Sequence, residues 1–102
     1  NMEGQQNNFS LEEQLGLARK LYEAVQERNQ FSTRHPESDD LTVFLNASPE
    51  NRQSYEEMER RANELRKNFD ESVSDKRSIV QQLRSDGEDE IADSISLMFG
   101  VR

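Results

Sequence analysis

The chain has 102 residues, a net charge of -8, 31% hydrophobic residues and no cysteine. That length holds one domain; the charge argues against a nucleic-acid-binding face, which needs a basic excess to displace counterions from phosphates; and the lack of cysteine removes disulfide frameworks and thiolate metal sites. Leu, Ile, Val and Phe number only 22, close to the lower bound of roughly 20% for ordered chains, so apolar stripes are expected to seek cover on another copy or on a partner.

Residues 1–8, polar and rich in Asn and Gln, are expected to form a disordered lead, with 9–102 a single helical domain. The opening residues lack the basic and apolar regions of a leader peptide, and no stretch nears the roughly 18 apolar residues of a membrane span. The expectation is a soluble cytoplasmic protein.

At "FSLEEQLGLARKLYEAVQERNQF" Ser10 and Glu13 have capping-box spacing, each able to satisfy a backbone N–H left open at a helix start. Leu11, Leu15, Ala18, Tyr22 and Val25, widened by Leu17 and Leu21, form an apolar stripe. The spacing predicts a helix over 11–29, slightly weakened by Gly16. "STRHPESDD" reads as a loop around Pro36. "LTVFL" suits a strand by its β-branched and aromatic content; a short helical turn over 40–46, capped by Ser38, is preferred because a lone strand has no partner in this sequence.

Ser48, Pro49 and Glu50 open a second helix, supported by Glu56 with Arg60 and Glu57 with Arg61 at i,i+4. No Pro or Gly follows until Gly87, so helix is predicted over 49–84, about 50 Å if continuous. Glu71 opposite Asp75, with Ser72 and Ser74 nearby, favours a kink or break near 71–76. Tyr55, Met58, Ala62, Leu65, Phe69 and Val73, joined by Val80, make its apolar stripe. A last helix is predicted over 88–99, with Gly100 as its left-handed cap and Ile91, Ile95, Met98 and Phe99 on one face. The expected fold is therefore an all-α bundle with one long central helix, kinked near 72. Its stripe overhangs a monomeric core and is expected to meet itself in a coiled-coil-like C2 homodimer.

"SDGEDEIADSI" poses the main chemical question, with five carboxylates inside residues 86–93. One reading is a second capping box, Ser85 with Glu88, with acids crowding the positive end of the last helix. The other is that Glu90 and Asp93, one turn apart, hold Mg²⁺. "EDEIADSISLM" resembles the second metal motif of the all-α nucleotide pyrophosphohydrolases of the MazG kind, whose helices carry Glu-x-x-Glu and later Glu-x-x-Asp. The resemblance covers eleven residues. It implies Mg²⁺-dependent NTP hydrolysis with Glu56 and Glu59 completing the site, although long charged side chains surround these where the family has small ones.

"LTVFLNASPENRQSYEEMERRA" also resembles ribbon-helix-helix repressors, which implies a DNA-reading strand. It places Thr42 and Phe44 behind Asp39 and Asp40, where such ribbons carry basic or polar groups. The acidic ends suggest a further alternative, an inhibitor that imitates nucleic acid.

His35 lacks a second His or a Ser–Asp arrangement and reads as solvated, and no phosphate loop or zinc spacing is present. Arg60, Arg61, Arg66 and Lys67 read as the solvated face of the second helix, or else as a contact patch for an acidic partner. The function expected from these observations is non-catalytic and needs no cofactor: a helical adaptor, chaperone-like protein or regulatory subunit working through helix-face contacts with itself and a protein partner. Leu41, Val43, Phe44, Leu97, Met98 and Phe99 are the apolar side chains available to that partner, or they close the core.

Overall fold

The structure, a computed structural model, describes residues 9–34 and 49–101. The expectations for residues 1–8, His35, Pro36, the 40–46 turn with Leu41, Val43 and Phe44, and the Ser48 cap lie outside the described residues. Four helices account for the described chain, which contains no strand: α1 Leu11–Arg34, α2 Pro49–Ser72, α3 Lys76–Ser85 and α4 Asp89–Phe99.

The predicted capping box forms at the start of α1. The Glu13 N–H donates to Ser10 Oγ at 3.1 Å, and the Ser10 N–H donates to Glu13 Oε1 at 2.9 Å. At the other end α1 runs past the predicted Asn29 to Arg34. The physical reason is tertiary: the Phe31 ring lies 6.3 Å from Tyr55 of α2, a contact invisible to local propensity.

The predicted 49–84 stretch divides into α2 and α3, as the 71–76 signals suggested. The N–H of Val73 still donates to Phe69 O at 2.9 Å, after which Asp75 caps α3 by accepting from the Ser78 N–H at 3.1 Å. Lys76 stitches the break. Its Nζ donates to Val73 O at 2.8 Å and pairs with Asp70 Oδ1 at 2.9 Å, placing a cation where α2 leaves its last carbonyls unpaired. The expected Glu56–Arg60 and Glu57–Arg61 pairs are replaced by Arg60 with Glu57 at 3.0 Å and Glu64 at 3.8 Å. All three side chains are well exposed, so the exchange costs little.

Gly87, at φ +82°, turns the chain between α3 and α4. Its N–H donates to Arg84 O and that of Glu88 to Leu83 O, the paired bonds of a Schellman ending. The second capping box is therefore not formed. Ser85 is the last residue of α3, and Glu88 occupies the cap of α4 without a side-chain cap bond. Gly100, at φ +65°, ends α4 with the predicted left-handed cap.

The central helix is α1, and not the chain from 49 to 84. α2 packs along α1 with Tyr55 beside Phe31 and Ala62 near Leu21 and Val25, so the two run antiparallel, while α3 and α4 form a hairpin that also rests on α1. Leu15, Ala18 and Leu21 of α1 are buried against Phe69, Val73, Ile79, Leu83, Ala92 and Ile95 in one core. Ala18 and Ala92 are fully buried, small side chains that allow close helix approach. α2 reaches α4 through side chains alone, with the Phe69 and Phe99 rings 5.3 Å apart. Among the described residues no polar side chain is buried, and no helix is long and apolar enough to cross a membrane.

Candidate functional site

The acidic segment sits where the α3–α4 hairpin meets α1. Turning the chain at Gly87 aims Glu88 back at α1, where Arg19 grips it: Nε donates to Oε1 at 3.0 Å and to Oε2 at 3.2 Å, and Nη2 donates to Oε1 at 2.8 Å. One turn along α1, the Tyr22 hydroxyl donates to Glu90 Oε1 at 3.2 Å. Arg84 of α3 reaches across the hairpin to Asp93 at 2.9 Å and Asp89 at 4.0 Å, and Gln82 donates to Asp86 at 3.1 Å. Each of the five carboxylates has a protein partner.

Two groups have shifted protonation equilibria. The hydrogen bond to Glu88 is the main cause that raises the Arg19 guanidinium further above its ordinary value, against a smaller lowering by burial. Loss of solvent raises the Tyr22 phenol, and its bond to Glu90 adds to this in the same direction.

The two halves of the proposed metal set fall in different places. Glu56 and Glu59 line an outer recess of α2 with Arg60 and Lys67, whereas Glu90 lines a recess beside Tyr22, Gly87 and Ile91. Asp93 belongs to the Arg84 pair. Among the described residues no three His, Cys, Asp or Glu side chains converge as a metal-holding group. What the acidic segment does chemically in this arrangement is clasp the hairpin to α1 through charge-assisted hydrogen bonds.

The stripe expected between copies has an occupant within the chain. Ala62, Phe69, Val73 and Val80 are buried, and Tyr55, Met58 and Leu65 are half-buried. Leu97, Met98 and Phe99 divide: Met98 and Phe99 pack on the core, while Leu97 is 87% exposed. Arg66 lies over the Phe99 ring at 5.8 Å and Lys76 at 5.4 Å.

Sequence reasoning missed Arg19, whose partner stands 69 positions away; of Tyr22 and Leu21, both placed in the apolar stripe of α1, Leu21 is buried and Tyr22 is half-buried. No protein-family model, curated protein or solved structure gives a match to this chain.

Proposed function

We propose that the chain is a non-catalytic helical interaction protein of the cytoplasm, presenting helix faces to a second copy of itself and to a protein partner. The observation that carries this reading is Leu97. It stands 87% exposed on α4 while the adjoining Met98 and Phe99 turn to the core, in a chain with only 22 Leu, Ile, Val and Phe residues. Burying a leucine is worth about 1.5–3 kcal/mol, which contact with a partner would recover. Phe9 and Leu11, 43% and 48% exposed at the start of α1, offer further apolar surface. Engagement of Glu88, Glu90 and Asp93 by Arg19, Tyr22 and Arg84 supports a structural role for those acids over a catalytic one.

A photo-crosslinking amino acid at position 97, in the native host, tests the proposal against the same group at exposed Lys20 of α1. Discrete products specific to position 97 are expected, one of them at twice the chain mass if a second copy binds there. Equal labelling from both positions would sink the reading.

A further inference from the structure

A narrow cleft of about 100 Å³ opens where α1, α2 and α4 meet, with Leu21, Val25, Ala62 and Met98 lining it beneath Arg28 and Arg66. Its volume equals that of about three liquid waters, which one aliphatic side chain could displace, and Met98 supplies a floor able to adjust to the shape of that side chain. Asn63 and Arg66 continue it into a recess with Lys67, Asp70 and Phe99. The one carboxylate of this joined surface, Asp70, is already paired with Lys76. Among the described residues Arg28, Arg66 and Lys67 have no ion-pair partner. The surface is thus locally cationic over an apolar floor, in a chain whose net charge is -8.

We infer that this cleft docks an acidic amphipathic segment of a partner protein, an aliphatic side chain filling the space above Leu21 and Met98 while flanking carboxylates meet Arg28 and Arg66. The inference deepens the interaction reading above and rests on it. Charge complementarity selects the occupant. Arginine guanidinium groups take carboxylates in two-pronged pairs, and at physiological salt a short peptide within about 8 Å of the rim senses those cations more than the acids elsewhere. A nucleic acid is disfavoured, since its extended polyanion would lie along the whole acidic surface and has no aliphatic group shaped for the floor.

The test is fluorescence anisotropy of the full chain with a labelled helical peptide of glutamate and leucine, beside the same peptide with lysine in place of glutamate. Salt-sensitive binding of the acidic peptide alone is expected, weakened about tenfold in an Arg28→Gln/Arg66→Gln double variant and unchanged in Arg77→Gln on α3. Circular dichroism checks that each variant remains folded. Equal binding of the two peptides, indifference to the double variant, or displacement by a single-stranded oligonucleotide would overturn the assignment. Crosslinks at position 97 without peptide binding would reject this cleft and leave the broader interaction reading standing; peptide binding without those crosslinks would keep the cleft and remove Leu97 as the contact.

Discussion

Tyr22 couples one proton to the seam between α1 and α4. Burial and the bond to Glu90 both raise its pKa above the ordinary value of about 10, so the fold favours the neutral phenol. That contribution is complete below about pH 10 and is lost as pH rises through the higher folded value. Urea unfolding across this alkaline window is expected to show a steeper stability loss in the native chain than in Tyr22→Phe, the remaining ionisable groups being common to both. Parallel curves would disprove the coupling. Arg19 and Glu88 make a geometrically better contact, but Arg19 is 40% exposed, which keeps such a pair near the usual surface range of about 0–1 kcal/mol. Both contacts are thus better at fixing the orientation of the hairpin than at supplying stability.

The helices depend on their ends, and two glycines separate conformational freedom from space. A Cβ built on Gly16 or on Gly87 would meet no heavy atom within 4 Å. Inside α1, Gly16→Ala is therefore expected to stabilise by about 0.5–1 kcal/mol, through better helix propensity and a less free unfolded chain. Gly87→Ala must hold φ at +82° and is expected to cost about 1–2 kcal/mol. Denaturation midpoints should move in opposite directions; a Gly87→Ala midpoint equal to or above that of the native chain would show that the turn before α4 does not require left-handed torsions. The interruption at 73–75 is also local, which is why it was legible, but the groups that make it are Asp75 as cap and Lys76 on the preceding carbonyls, where the sequence offered Glu71–Asp75 repulsion and the Ser72 and Ser74 hydroxyls. The extra turn of α1 was not legible, because Phe31 finds its ring partner on α2.

The described residues extend 50 × 30 × 20 Å with a radius of gyration of 16.0 Å, against about 13 Å for a compact domain of 100 residues. The fully buried side chains gather where α3 and α4 meet α1 and the end of α2. Phe69 touches Phe99 and has no exposed surface, so Phe69→Ala is expected to cost about 3–5 kcal/mol, a large part of the roughly 5–15 kcal/mol available to a small domain. Leu97→Ala should change stability by no more than about 0.5 kcal/mol. Thermal melts of the two variants check this contrast. A large loss from Leu97→Ala would mean that its exposed face supports the monomer, which would weaken its assignment to a partner.

Periodicity and end signals were enough to identify α1, the α2–α3 interruption and α4, because caps, Pro, Gly and apolar spacing act within a few residues of one another. They could not tell which helix lies at the centre. Stripes on α1 and α2 both ask for cover, and a linear pattern does not say whether that cover comes from the same chain; the fold answers by placing α1 between α2 and the α3–α4 hairpin. The acidic run posed the same problem. Its helix-start character was readable from composition, but the partners of Glu88 and Glu90, Arg19 and Tyr22, come from a distant helix, and electrostatic pairing depends on distance in space and not on distance along the chain.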